Sequence, residues 1–279
     1  MKRIRLFFQN RRQRVLVGVI LSASLLLILC IVGAFCADAA RVTDFSRKNL
    51  EPGIPYLFGT DWLGRDMLMR TLAGLSLSIG LGVLAAAVSA CIALILGIIS
   101  ATMGKTADTI ITFLIDLMMG IPHILLLILV SVALGRGFRG VACGVALTHW
   151  PSLARLIRAE VLQLKEQPYI QIARKLGKSN WYLAKKHILP HILPQFFTGL
   201  VLMFPHAILH ESSITFLGFG LSAEQPAIGI ILSESMKYLV TAKWWLAVCP
   251  GVMLAAVVML FYLTGEQIRK LLDPGSVHE

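Results

Sequence analysis

Charged side chains are scarce in this sequence. Asp, Glu, Lys and Arg make up 15% of its 279 residues, against about 25% in soluble globular chains. Hydrophobic residues reach 57% and the mean hydropathy is +0.77, so too little polar surface exists to cover a water-soluble core of this size. The acidic residues are the scarcer ones: 15 Asp and Glu against 26 Lys and Arg leave a net charge of +11. Such an excess serves nucleic-acid binding only on a soluble scaffold that presents a basic face, and none is visible. The cations read instead as markers of cytoplasmic loops. Cys30, Cys36, Cys91, Cys143 and Cys249 are odd in number, lie in or beside apolar runs and show no CxxC or Cys/His spacing. That argues against a disulfide framework or a zinc site; they read as small buried hydrophobes. A phosphate-binding loop is missing too. Residues 99–106 end in Gly104-Lys105-Thr106 but open on Ile99 where a Gly is required, and they follow an apolar run instead of a strand. They read as a short cytoplasmic turn.

What is present is a series of apolar runs near the 20 or so residues that cross a bilayer as helix. They predict an all-α membrane protein with six spans: Val15–Ala37, Leu72–Met103, Thr109–Leu134, Gly140–Ile157, Phe196–Phe216 and Trp244–Thr264. Ala37-Asp38-Ala39 resembles a signal-peptide cleavage site, but the uncharged run before it is too long for a typical h-region, so a retained anchor is expected. Residues 1–14 then form an N-terminal cytoplasmic tail, 15–264 the transmembrane domain and 265–279 a C-terminal cytoplasmic tail. With both termini inside, seventeen Lys and Arg fall on the cytoplasmic side and nine outside, which the positive-inside rule favours. Trp244 and Trp245 are expected at the outer interface.

Between the fourth and fifth spans, residues 158–193 are too long and too patterned for a passive connection. Residues 159–165 and 169–176 have helical apolar spacing, Gly177 supplies a stop, and Ser179 or Asn180 can cap a second helix through Lys186. Leu189-Pro190 and Leu193-Pro194 are expected to end it. Physically, this basic helix–turn–helix could rest on anionic lipid or dock a soluble partner.

A resemblance decides between the two. Gln171-Ile172-Ala173, Gly177 and then His187-Ile188-Leu189-Pro190 resemble the EAA loop of ABC importer permeases, with Gln171 and Ile172 in place of Glu and Ala and His187 in place of Ile. Gly59-Thr60-Asp61-Trp62-Leu63-Gly64-Arg65-Asp66 resembles the GTDxxGRD outer-loop signature of the dipeptide, oligopeptide and nickel branch. Phe216-Leu217-Gly218-Phe219-Gly220-Leu221 resembles its FLG motif, and Leu272-Asp273-Pro274 its C-terminal LDP. The resemblance implies a type I importer permease in the bacterial inner membrane that works by alternating access. It further implies a homologous second permease, two ATPase subunits that carry ATP and Mg, and an extracytoplasmic binding protein. No cofactor is expected on this chain and no catalysis. An intramembrane protease is a remote alternative, since Gly74-Leu75-Ser76-Leu77 lacks the final Gly of that motif; a channel would have no use for the 158–193 loop.

Four ionisable positions within or beside the spans are candidate pathway residues, because intramembrane charge is costly and faces a bundle interior. Asp116 is expected to bond between helices. His206 and His210 share a helix face, with Glu211 adjacent and Met203 a turn earlier, and imidazole suits nickel. This pair is read as a transient metal contact and points to nickel or a nickel chelate as cargo, with di- or oligopeptides as the alternative. Satisfaction of both rings by neighbouring backbone is the competing reading. His123 is read as a lone, structural histidine, and the 58–66 loop as a structural or docking signature on the outer face.

Overall fold

The computed structural model describes residues 11–222 and 224–272. Eleven α-helices follow one another among them: α1 (Arg11–Phe35), α2 (Met67–Thr102), α3 (Lys105–Gly120), α4 (His123–Ala133), α5 (Phe138–Thr148), α6 (Trp150–Lys165), α7 (Pro168–Lys175), α8 (Asn180–Leu183), α9 (Leu189–Phe216), α10 (Ile228–Leu239) and α11 (Trp245–Leu272). The described residues form no strand beyond one isolated bridge between Thr60 and Asp66.

Small residues organise the bundle. Along α2, Ala85, Ala86, Ser89, Ala90, Ala93, Gly97, Ser100 and Ala101 are all buried. Small side chains let helix backbones approach closely in a membrane, where no hydrophobic effect drives helices together. A Cβ at Gly97 would lie 2.9 Å from the Ala154 carbonyl of α6, and one at Gly82 would lie 2.6 Å from Ile208 of α9. Gly33 does the same for α1, where a Cβ would overlap the Leu72 carbonyl. Ser76 donates to the Cys30 carbonyl at 2.8 Å across that crossing, which gives this serine a packing role. Thr264 of α11 donates to Ser22 of α1 at 2.7 Å.

Among the described residues, four helical stretches are long and apolar enough to span a membrane: α1, α2, the stretch from Asn180 to Phe216, and α11. A fifth is obtained if α3 and α4 form one span, bent by 101° at Gly120–Pro122. The expected straight span Thr109–Leu134 is therefore a broken one, because Pro122 has no N–H to continue the ladder. The expected fourth span is divided in the same way, with His149 between α5 and α6 and Pro151 at the start of α6. Among the described residues the all-α membrane fold is therefore present with four or five helical stretches of spanning length, two of the six expected runs being divided.

The helix after Gly177 also departs from expectation. It does not end at Leu189-Pro190. Residues 184–188 form a π turn in which the Leu189 N–H donates to the Ala184 carbonyl, and the chain passes through it into α9. Widening the helix just before Pro190 accommodates a residue that cannot donate and whose ring crowds the preceding turn. α10 falls in none of the expected spans. It is 12 residues long and contains Ser233, Glu234, Ser235 and Lys237, too short and polar to register as a span. It is nonetheless anchored, since Ile228, Ile231 and Ser235 are fully buried and Ser235 donates to the Leu246 carbonyl at 2.7 Å.

Candidate functional site

Three constructions stand out, and α2 sets their relative depth. The 58–66 loop lies at its N-terminal end. The 158–193 loop lies at its C-terminal end, where Lys165 donates to the Ala101 carbonyl at 2.5 Å and burial pushes its ammonium below the usual lysine range.

In the 158–193 loop, α7 begins with Pro168 in its first turn and is anchored by Ile170, 1% exposed. It ends in a complete Schellman motif: Lys178 N–H donates to the Ala173 carbonyl at 3.2 Å and Gly177 N–H to that of Arg174 at 3.0 Å. Gly177 has φ +78°, the left-handed geometry that the motif requires and that glycine adopts without a Cβ clash. Ser179 then caps α8 by accepting from the Tyr182 N–H at 3.2 Å, as the sequence predicts. Gln171 is exposed and bonds back to the Glu166 carbonyl. Tyr169, Ile172, Leu176, Trp181 and Tyr182 stand exposed around this turn, Leu176 by 74%. His187 lies in the π turn between the rings of Tyr169 and Tyr182, and Leu189 and Pro190 open α9.

The 58–66 loop is a buried charge network. Asp61 is 0% exposed. Its Oδ1 accepts from the N–H groups of Leu63 and Arg65, and its Oδ2 accepts from Arg65 Nε and Arg70 Nη1, both at 2.6 Å. Arg70 continues to Glu234 of α10 at 3.0 Å, so two cations and two carboxylates close on each other. Trp62 lies against both guanidinium groups and stacks on Tyr238 at 4.7 Å. Asp66 caps α2 through the N–H groups of Leu68 and Met69, while Thr60 ties the loop to the Arg47 carbonyl. Gly59 and Gly64 both have positive φ, and a Cβ at Gly64 would overlap the Asp44 carbonyl. Hydrogen bonds from the Ser46 hydroxyl and N–H hold the Asp44 carboxyl below its ordinary range. The motif is architectural here: it locks the loop to α2 and α10. Asp61 does pair locally with Arg65, as read from the sequence, whereas Asp66 serves as a cap. Arg70 and Glu234 were not identified, and nothing local in the sequence marks residues 164 apart as partners. Trp245 is not an interfacial anchor. It is 4% exposed and packs beneath Gly59, leaving Trp244, 54% exposed, at the surface.

The third construction is a cavity of about 760 Å³ bounded by the α3–α4 break, the start of α6 and the middle of α9. Met203, His206 and His210 line it. Glu211 does not line it. That residue is fully buried and accepts from Thr215 at 3.0 Å and Ser212 at 3.3 Å. Asp116 lies outside the cavity and pairs with Arg155 of α6 at 2.6 Å, the interhelical bond foreseen for it. His210 is brought together with His123 and His149, the ring nitrogens lying within 4.8 Å of one another; His206 is not one of these three. His123 is therefore not a lone histidine. A partial signal is present in the sequence: Pro122-His123 and His149-Trp150-Pro151 each set a histidine near a helix-breaking residue, whereas nothing of the kind marks His210.

A long central α2, a bent α3–α4 pair, an exposed apolar turn closed by Gly177 and an internal cavity accompany a recognisable fold. The fold is that of a type I ABC importer permease, and it matches a solved chain of the MetNI methionine ABC transporter in inward-facing conformations. The TM-score is 0.60 at 16% identity, over 74% of this chain and 98% of that one. Residues 93–277 match the family described as binding-protein-dependent transport system inner membrane component, and the chain belongs to that family. Its relatives include the dipeptide transport system permease of Bacillus subtilis, 29% identical over 89% of this chain and 78% of that protein. A putative peptide transport system permease of Brucella suis is 32% identical over 95% and 88%. The chain is accordingly a membrane-embedded permease subunit of an ABC importer, with ATP hydrolysis on separate subunits.

Proposed function

We propose that this permease forms half of the translocation pathway for di- or oligopeptides or closely similar small molecules. It would work by alternating access beside a homologous second permease and above two ATPase subunits, with an extracytoplasmic binding protein delivering cargo. The nickel reading drawn from His206 and His210 finds no support among the relatives, which are named for peptides. One observation carries the mechanical part: five large apolar side chains stand exposed on a turn that Gly177 closes in a fixed shape. Exposed clusters of this kind mark interaction sites, and a groove on an ATPase subunit gripping this turn would move α6 and α9 with it.

Gly59–Asp66 would face the side from which cargo arrives, with both termini and the 158–193 loop in the cytoplasm. The test is uptake of a radiolabelled dipeptide by cells expressing the whole transporter. Gly177→Asp or Ala173→Asp should abolish uptake while the protein remains in the membrane at its normal level. Normal uptake by the Gly177→Asp transporter would refute the docking assignment.

A further inference from the structure

Two helix breaks and one continuous helix bring three histidines to one wall of the cavity. His123 follows Pro122 at the bend between α3 and α4, His149 sits between α5 and α6, and His210 lies on α9. The rings meet edge to face, with centroids 4.5, 4.5 and 5.1 Å apart. Mutual ring packing leaves their nitrogens to be accounted for.

The hydrogen bonds fix two of the tautomers. His149 Nδ1 lies 2.9 Å from the Val145 carbonyl and His210 Nδ1 lies 2.9 Å from the His206 carbonyl. A carbonyl can only accept, so each Nδ1 carries the proton and each Nε2 offers a lone pair. Nε2 of His149 and Nε2 of His123 are buried and have no hydrogen-bond partner among the described residues. Leaving two such atoms unsatisfied is costly in an apolar interior. A carbonyl that holds Nδ1–H while Nε2 points to a common centre is the arrangement that orients metal-ligating histidines.

We propose that His123, His149 and His210 form a transition-metal site that takes a divalent first-row ion such as Ni²⁺, Cu²⁺ or Zn²⁺ through imidazole nitrogen. Ligating nitrogens in a tetrahedral site lie about 3.4 Å apart, given metal–nitrogen bonds of about 2.0–2.1 Å. The three nitrogens here, within 4.8 Å, close on an ion with small ring movements. Three neutral ligands leave the ion its full double charge, and no carboxylate among the described residues joins the cluster. The position facing the cavity is therefore suited to an anionic group, and a small amino-carboxylate chelating the ion would complete both the coordination and the charge. The site's existence does not depend on the peptide reading; its place on a cargo route does.

The test uses the whole transporter, purified with a tag free of histidine. Co²⁺ is titrated into the wild type, into the His123→Asn/His149→Gln/His210→Asn variant and into His191→Ala, a histidine away from this cavity. The expected result is one more Co²⁺ per permease chain in the wild type and in His191→Ala than in the triple variant, with ligand-field absorption from the added ion. A single His149→Gln change should weaken binding at least about tenfold. Equal stoichiometry in intact wild-type and triple-variant complexes would overturn the proposal. If the triple variant fails to assemble, nickel X-ray absorption of the wild-type complex decides, and absence of imidazole scattering overturns it equally. Repeating the titration with Ni²⁺ alone and with Ni²⁺ plus one equivalent of Gly-His separates a free-ion site from a chelate site, since only the latter retains labelled dipeptide. Uptake does not enter any of these readouts, so failure here is distinct from failure of the peptide assignment.

Discussion

Gly177 shows how one residue can be required for its conformation and not for its smallness. A Cβ there would meet nothing within 4 Å, yet φ is +78°, a region that costs most residues about 1–2 kcal/mol and Asn less. Gly177→Asn should therefore keep most ATPase stimulation by cargo, while Gly177→Val should lose it, as measured on reconstituted transporter. Asp61 is the opposite case, a residue held by its partners. Asp61→Asn removes the buried one of the two carboxylates that Arg65 and Arg70 share, leaving Glu234 alone against two cations. Breaking a buried pair costs about 3–5 kcal/mol, so the thermal midpoint of the detergent-solubilised complex should fall well below that of the wild type. Gly177 and Ser179 were legible in the sequence because caps and left-handed stops are local chemistry. The histidine cluster was only half legible. His206 and His210 show their shared face by spacing alone, but His123 and His149 reach His210 only once two helix breaks have turned the chain.

At the scale of elements, the departures in the expected spans occur where proline meets helix. Hydropathy sums over such breaks, which is why Thr109–Leu134 and Gly140–Ile157 read as spans although each is divided in the fold. α10 departs the other way: its apolar stretch is too short to read as a span, and its place is fixed by Ile228, Ile231 and Glu234 meeting partners far along the chain. The ties across the breaks are polar. Asp108 of α3 accepts both Arg158 Nε at 2.6 Å and Nη2 at 2.7 Å, and Ser100 of α2 donates to it at 2.6 Å. This fixes three helices at the end where the 158–193 loop begins. Asp108→Asn should uncouple ATP hydrolysis from uptake, lowering peptide transported per ATP. The reversed pair Asp108→Arg with Arg158→Asp should recover part of that ratio. No recovery would show that the contact matters for something other than its charge pairing.

For the whole molecule, the distribution of Lys and Arg predicts orientation, and the fold puts the relevant loops at opposite ends of α2. In a cysteine-free background, Glu51→Cys should react with a membrane-impermeant maleimide added to intact cells. Lys178→Cys should react only after the membrane is opened, since both residues are exposed. The reverse pattern would invert the assigned topology.

The uninterrupted run from Asn180 to Phe216 has a mechanical consequence. Its 37 residues make a lever arm of about 55 Å at 1.5 Å per residue, with the turn closed by Gly177 near one end and His210 about 45 Å along it. A tilt of only about 5° at the fulcrum would carry that imidazole roughly 4 Å, twice the length of a metal–nitrogen bond. A site assembled from one histidine on the lever and two on the frame would then be dismantled by the stroke that opens the path, so that grip and release become the same movement.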